Sequence, residues 1–191
     1  MIHNIPTSQE INALRDEAYE NAKSHGFHDA NNSKKHYLCL VLTELMEAVE
    51  ADRKARHCVI DLNEVDLIED ESIFLATFEQ NIKDTVEDEF ADTAIRLLDY
   101  AGLYNIDVGA SCYLCQYILD ASGPPYTQKY KSMSFTEFAF EMTYFIVRKD
   151  ILFVLFELFM WAVAKGFDLT THIKLKMRYN SYRERMHGKR Y

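Results

Sequence analysis

The sequence predicts an all-α protein, a bundle of helices, on three observations. Glycine and proline are scarce, at 6 and 3 of 191 residues, so tight turns are few. Apolar residues recur at helical spacing behind residues that cap helix starts. No segment shows the sustained alternation of apolar and polar residues that a half-buried strand needs. The length and the 48% hydrophobic content allow a domain with a substantial core.

The first two helices begin at clear capping residues. Thr7 and Glu10 form a capping box, and the helix that they open is expected to stop near Gly26. Ser33 is the expected N-cap of the next helix. The acidic segment 61–71 lacks the glycine and the regular acids of a calcium loop, and we interpret it as a surface loop.

The central helix spans Lys83–Gly102 and follows a short helix over 72–82. Thr85 caps its first turn, and Gly102 is expected to supply a left-handed stop. Apolar residues at helical spacing form a buried stripe along it. That stripe consists of Phe90, Ala94, Leu97, Leu98 and Ala101.

A further helix is expected over 110–121, with Leu114 and Ile118 directed inward. The Ser-Gly-Pro-Pro sequence that follows is a strong helix breaker. We therefore predict one domain over 1–191, with a possible sub-domain break near 122–133.

The last third of the chain predicts three more helices. Ser134 and Glu137 form a second capping box, an apolar helix runs from Ile151 to Gly166, and Asp168 caps the final one. Two adjacent apolar helices need a large surface to cover them. That surface is either the rest of the bundle or a second copy of the chain.

Composition limits the partners and the location of the protein. The formal net charge of −9 disfavours general nucleic-acid binding. Cys112 and Cys115 form a CxxC with no second CxxC and no nearby histidine pair, which argues against zinc. We expect reduced core thiols in a cytoplasmic protein, with no signal peptide. The apolar segment 151–164 is too short to span a bilayer and is interrupted by Glu157, so no membrane association is expected.

Four acidic residues suggest a metal site. Glu44 and Glu47 stand one turn apart beside an apolar stripe, and Glu89 and Asp92 repeat this arrangement on the central helix. If the two helices pack together, four carboxylates surround one small volume, which is unfavourable without a cation. Mg²⁺ prefers oxygen ligands in octahedral geometry, so these residues suit it.

Two other interpretations of the acidic residues exist. The spacing alone proves little, because Glu17 and Glu20 repeat it on the first helix, and such pairs are also typical of solvated faces. A di-iron carboxylate bundle needs a Glu-x-x-His on each of two helices. The chain offers only Glu184 with His187, in its tail, so this class is disfavoured.

The residues resemble a known family, the MazG-like all-α nucleoside triphosphate pyrophosphohydrolases. Glu44-x-x-Glu47 followed by Glu89-x-x-Asp92 looks like their signature, and EDEFADTAIRLLDYAG is especially close to their metal-binding helix. KMRYNSYRERMHGKRY is similar to their Lys…Asn…Arg…His-Gly-Lys ending. The resemblance covers most of the chain. It departs at Thr43, where the family often has Glu, and in the longer gap between the two acidic motifs.

The resemblance implies hydrolysis of a nucleoside triphosphate between the α and β phosphates, giving a monophosphate and pyrophosphate. It implies Mg²⁺, with Mn²⁺ as a possible substitute, and a homodimer or homotetramer. The four acids would hold the metal, and Glu44 or Glu47 would accept a proton from water. The segment from Lys174 onward is rich in lysine and arginine. It would then contact phosphates or sugar, although it could also be a solvated end. The expected substrate-binding residues are Lys34, Lys176, Asn180 and Arg183.

A second function class remains open from the sequence. The chain could be a non-catalytic helical module that binds nucleotides or another protein, with its carboxylates merely solvated. The residues do not specify which base or sugar a nucleotide would carry.

Overall fold

The computed structural model of the protein describes residues 5–122 and 124–188. Within these ranges the chain forms ten α-helices, one 3₁₀-helix and no β-strand, so the all-α prediction is confirmed. None of the helices described is long and apolar enough to cross a membrane. The helices are α1 (Ser8–Ser24), α2 (Lys34–Arg53), α3 (Leu62–Asp66), α4 (Glu71–Asn81), α5 (Val86–Leu103), α6 (Gly109–Ser122), α7 (Pro124–Ser132), α8 (Phe135–Arg148), α9 (Ile151–Lys165) and α10 (Leu169–Ser181), followed by the 3₁₀-helix η1 (Arg185–Gly188).

The five predicted N-cap residues are those observed. In each, the side-chain oxygen of the N-cap accepts a hydrogen bond from the backbone N–H three residues later, which satisfies a donor that the helix leaves free. Both predicted capping boxes are also present. The capping residues are Thr7, Ser33, Thr85, Ser134 and Asp168.

Helix α5 lies at the centre of the bundle and contacts α1, α2, α9 and α10. Its predicted apolar stripe, Phe90 to Ala101, is buried in the main core. Helices α2 and α5 run antiparallel, since Lys34 at the start of α2 lies over Tyr104 at the end of α5, while Glu44 meets Arg96 further along. This packing decides which polar residues of the two helices meet.

The segment 61–71 is not the surface loop that we expected. Asp61 caps the short helix α3, and Val65 is fully buried. Val65 joins Phe74 and Phe78 of α4 in a second hydrophobic cluster that also includes residues of α10. Leu62 and Ile68 of the same segment also pack against this cluster, so its apolar residues anchor the acidic segment.

Gly102 does not end α5 with a left-handed turn, contrary to our expectation. The helix continues through Leu103, and Asn105 is the residue that adopts a positive φ, of 52°. Gly102 matters instead because of a close approach. A Cβ at this position would lie 2.5 Å from Cβ of Tyr19 and 3.2 Å from the carbonyl oxygen of Arg15.

The orientation of α6 also differs from our prediction. Leu114 is 42% exposed, whereas Cys112 and Cys115 on the same helix are fully buried. Ile118 is partly buried against the core. Burial raises the pKa of the Cys112 thiol to about 12. All four cysteines are free thiols, but Cys39 is exposed and does not belong to the core.

The predicted helix break at Ser-Gly-Pro-Pro includes residue 123, which lies outside the described residues. The main hydrophobic core nevertheless contains Cys115 before the break and Tyr130 and Phe138 after it. Apolar packing therefore continues from one side of the break to the other. A sub-domain boundary near 122–133 stays a prediction.

Replacing Gly102 with Ala is expected to destabilise the protein by about 1–3 kcal/mol, because the new methyl group must displace α1 from α5. The higher helix propensity of alanine offsets only part of this loss. Urea denaturation measures the change. Glu17→Ala, on the exposed side of α1, is the control and should change stability by less than about 0.5 kcal/mol. A Gly102→Ala variant as stable as wild type would contradict the close contact.

Candidate metal site

The packing of α2 on α5 brings three glutamates together. Glu44 and Glu47 on α2 and Glu89 on α5 each contribute one carboxylate oxygen, and these three oxygens all lie within 4.8 Å of one another. Glu44 and Glu89 are only 4% and 6% exposed, while Glu47 is exposed. We call these three residues the glutamate cluster. It provides the hard oxygen donors that divalent cations such as Mg²⁺ bind.

Asp92, the fourth predicted metal ligand, lies beside the glutamate cluster rather than within it. Its carboxylate is 2.8 Å from the ammonium of Lys176, which also lies 2.7 Å from Asp88. A single buried cation on α10 thus serves two carboxylates on α5. The structure places Asp92 next to the proposed ligands but engages it with Lys176.

Lys176 is almost completely buried, at 4% exposure. Burial by itself would lower its pKa, but Asp92 and Asp88 outweigh burial, and the pKa of Lys176 is raised. Burial in turn raises the pKa of Asp88 to about 6, although the neighbouring ammonium opposes this effect. Lys176 is therefore a permanent counter-ion beneath the site, and its ammonium is not presented to the pocket as we expected of a phosphate ligand.

The glutamate cluster is electrostatically unfavourable in the absence of a cation. Burial raises the pKa of Glu89 to about 8, and the negative charges of Asp92 and Glu47 add to this effect. A carboxyl group that resists ionisation this strongly would ionise readily next to a divalent cation. The electrostatics thus fit a metal ligand.

Arg96 forms an ion pair with Glu44. Its Nε donates a 3.0 Å hydrogen bond to Glu44, and its guanidinium lies 4.9 Å from the ring centroid of Phe27. Arg96 follows Asp92 by four residues and Glu89 by seven, so it faces the same way on α5. Sequence analysis missed it as a site residue although this spacing was visible.

A pocket opens on one side of the glutamate cluster, between α1, α5 and α10. It brings acidic residues of the proposed metal site next to basic and amide groups from the end of the chain. The side-chain Oδ1 of Asn180 and Nε2 of His187 are buried there without a hydrogen-bond partner. Its lining includes Glu44, Asp92, Arg96, Asn180, Arg183 and His187.

The last residues that the structure describes are fixed against the end of α1. The backbone N–H of Met186 donates to the carbonyl of His25, and Nε2 of His25 lies 3.1 Å from the carbonyl of Arg183. These contacts hold Arg183 at the pocket. The structure thus brings two of the predicted substrate-binding residues, Asn180 and Arg183, to the same pocket as Glu44.

A second cleft lies on the other side of the glutamate cluster. It is lined by Glu47 and Glu89 together with Lys54 and Arg56. Lys54 is the C-cap of α2, and Arg56 follows two residues later. The spacing from Glu47 to Lys54, two helical turns, would have placed both residues on one face.

Lys34 does not reach the glutamate cluster. It precedes Glu44 by ten residues on α2, a distance of about 15 Å along the helix. Its ammonium instead lies 4.2 Å from the ring centroid of Tyr104. A role for Lys34 in substrate binding stays a prediction that the geometry does not support.

Sequence analysis also missed a buried polar pair next to the pocket. His28 and Asp99 are joined through Nε2 and Oδ1 at 2.7 Å, and both side chains are buried. Tyr37 lies near the other ring nitrogen of His28, at 3.4 Å. No local pattern indicates this contact, because the two partners are 71 residues apart.

The chain matches no protein-family model, no curated protein and no solved structure. We therefore infer function from the geometry of the site.

Replacing Glu89 with Gln is expected to stabilise the protein at alkaline pH. Between pH 4.5, the ordinary pKa of Glu, and about 8, folded Glu89 keeps a proton that the unfolded chain releases. Stability therefore falls as pH rises through this interval, and Gln removes that loss. The variant should exceed wild type by about 2–4 kcal/mol at pH of about 9, a range reduced for partial solvent screening. The difference should vanish at pH of about 4.

Denaturation of both proteins across this pH range measures the difference. Glu17→Gln, an exposed glutamate on α1, is the control for loss of one charge. Addition of Mg²⁺ should reduce the difference in stability at high pH, because only wild type has the Glu89 carboxylate with which to bind the ion. If the free energies of unfolding of wild type and Glu89→Gln differed by the same amount at every pH, the raised pKa of Glu89 would be contradicted.

Proposed function

We propose that the protein is a Mg²⁺-dependent nucleoside triphosphate pyrophosphohydrolase. It would convert a (d)NTP to the monophosphate and pyrophosphate by in-line attack of water on the α phosphate. One observation carries the proposal: the glutamate cluster adjoins a pocket lined by Asn180 and Arg183. A cation site and a phosphate-binding guanidinium in one pocket fit a polyphosphate substrate.

The residues present fit a divalent cation. Glu44, Glu47 and Glu89 would hold it directly, and Asp92 is close enough in sequence and space to support them. Mg²⁺, or Mn²⁺ as a substitute, would supply charge neutralisation for the polyphosphate and would acidify water. The resemblance of the two acidic motifs to MazG-like pyrophosphohydrolases supports the same assignment.

The chain's own residues would bind and orient the nucleotide. Arg183 can donate two hydrogen bonds to phosphate oxygens in a fixed geometry. The unpartnered Oδ1 of Asn180 can accept from a hydroxyl or amine of the sugar or base. Arg96 can exchange Glu44 for a phosphate oxygen, because its guanidinium lines the same pocket.

We assign the general base to Glu47. Glu44 is buried and already bonded to Arg96, whereas Glu47 is exposed at the cleft that reaches the cluster from solvent. An exposed carboxylate can exchange its proton with bulk water after each turnover. Glu47 would therefore accept a proton from the attacking water.

We include self-association and a cytoplasmic location in the proposal. Exposed apolar side chains on α8 support the former. Four free cysteines support a reducing compartment.

The proposed reaction is tested by phosphorus NMR of the purified protein with a panel of NTPs and dNTPs, with and without Mg²⁺. We expect metal-dependent formation of pyrophosphate and a monophosphate. Glu47→Gln should lower kcat by about 100-fold or more, because a metal ligand and the proton acceptor are lost together. Glu17→Gln is the matched control, since Glu17 and Glu20 share the spacing of Glu44 and Glu47 but lie outside the cluster.

Release of orthophosphate would show that a different bond is cleaved. Metal and nucleotide binding without turnover would instead favour a non-catalytic nucleotide-binding module. Equal loss of activity in Glu47→Gln and Glu17→Gln would remove the proposed role of the cluster.

Arg96 is expected to compete with the metal and to assist the nucleotide. In Arg96→Gln, Glu44 loses a competing cation, so the Kd for Mn²⁺ alone should fall by about threefold or more. The Kd for an α,β-methylene triphosphate analogue at saturating Mn²⁺ should rise by about tenfold, because a charged hydrogen bond is lost. Titration calorimetry measures both constants.

Arg96→Lys is the control that retains the charge and should change both constants less. Weaker Mn²⁺ binding to Arg96→Gln would mean that Arg96 positions Glu44 for the metal rather than competing with it.

A further inference from the structure

Helix α8 is apolar on two opposite faces. Its inner face belongs to the main core and includes Phe138, Met142 and Ile146. Its outer face carries three large apolar side chains at spacings of four and three residues, which form a single stripe. These are Phe140, Tyr144 and Val147, which are 80%, 57% and 64% exposed. A contiguous stripe of this kind is typical of an interaction surface rather than of a solvated helix face.

Charged residues flank this stripe in a definite order. Glu137 and Glu141 lie on the N-terminal half of α8, and Arg148 and Lys149 lie at its C-terminal end, all exposed. The outer face therefore runs from acidic through apolar to basic along the helix axis. Such a surface is complementary to its own copy turned end to end.

We propose that the outer face of α8 pairs antiparallel with the same face of a second copy of this chain. The two-fold axis would pass near Tyr144. Phe140 of each chain would then pack against Val147 of the other chain. Glu141 of each chain would approach Arg148 of the other, so that two equivalent ion pairs border the apolar contact.

The order of charges selects this occupant and this geometry. A two-fold dimer places the same patch on both chains, so the patch must be complementary to itself. Parallel pairing would set Glu141 against Glu141 and Arg148 against Arg148. Antiparallel pairing matches opposite charges and also opposes the two helix dipoles.

Tyr144 is already held in place in the single chain. Nη1 of Arg148 donates a 3.1 Å hydrogen bond to the Tyr144 hydroxyl, and the guanidinium lies 5.4 Å from the ring centroid. An aromatic side chain that is fixed before association loses little entropy on binding. Tyr144 is therefore suited to be the central anchor of the interface.

This inference names the surface for the proposed self-association and does not depend on the hydrolytic activity. The test of this inference measures the molecular mass of the protein in solution. Failure of the reaction assay therefore does not affect it. Light scattering after size exclusion and sedimentation velocity of the full chain, from about 1 to about 100 µM, should show a dimer. Tyr144→Glu should raise the dimer Kd by about 100-fold or more, because it buries a charge at the centre.

Tyr117→Glu is the matched control. Tyr117 lies on α6, is 61% exposed, and its substitution should leave the dimer intact. Thermal denaturation verifies that both variants are folded, which is expected because both side chains face solvent.

A charge exchange tests the antiparallel geometry. Glu141→Arg and Arg148→Glu should each weaken the dimer by about tenfold, since each creates two like-charge contacts. An equimolar mixture of the two variants should form a heterodimer as tight as wild type, because both contacts then join an arginine with a glutamate. The double variant should dimerise for the same reason. Parallel pairing would give the same result for the mixture, so the double variant decides the geometry.

Three results would overturn the inference. The first is a wild-type monomer at about 100 µM. The second is a dimer that Tyr144→Glu leaves intact or that Tyr117→Glu breaks equally well. The third is a double variant of Glu141 and Arg148 that is no tighter than the two single variants.

Discussion

The burial of the Lys176 ammonium against Asp88 and Asp92 is the interaction on which the rest of the site depends. It allows the acidic start of α5 to enter the protein interior, where unpaired carboxylates would be strongly unfavourable. The N-terminal end of the helix dipole also favours Asp88, which lies in the first turn of α5. With α5 held in this way, Glu89 is carried to the surface of α2 that bears Glu44 and Glu47. The two ion pairs of Lys176 with Asp88 and Asp92 thus help to hold Glu89 at the glutamate cluster.

The three carboxylates of the cluster are balanced in different ways. Glu44 pairs with Arg96, Glu47 is solvated, and Glu89 lies where burial and neighbouring charge oppose ionisation. A fixed lysine would satisfy all three more completely, as Lys176 does for its two partners. The fold instead leaves the cluster accessible from two sides, through the pocket with Arg183 and the cleft with Lys54. An exchangeable cation fits that arrangement better than a structural one.

Local rules predicted most of the helices, because N-caps and apolar periodicity depend only on neighbouring residues. The same periodicity placed Glu44 and Glu47 on one face of a helix. The remaining features required contacts between distant segments: the approach of Tyr19 to Gly102, the anchoring of Val65, and the engagement of Lys176 by α5. Each of these is decided by helix packing, on which composition and spacing carry no information. Helical spacing therefore placed the acids of each pair on one face, but the engagement of Asp92 by the buried Lys176 depends on the packing of α10 on α5.

A comparison within the chain argues against a purely solvated acidic face. Glu17 and Glu20 have the same spacing as Glu44 and Glu47, and both are exposed; Glu20 simply pairs with Lys23 at 3.4 Å. Glu44 and Glu89 are instead buried and placed next to further acids, at a cost in stability. A fold under no functional constraint would lower its free energy by replacing one of them with an apolar or amide side chain. That all three carboxylates nevertheless stand together is expected of a site that binds a cation.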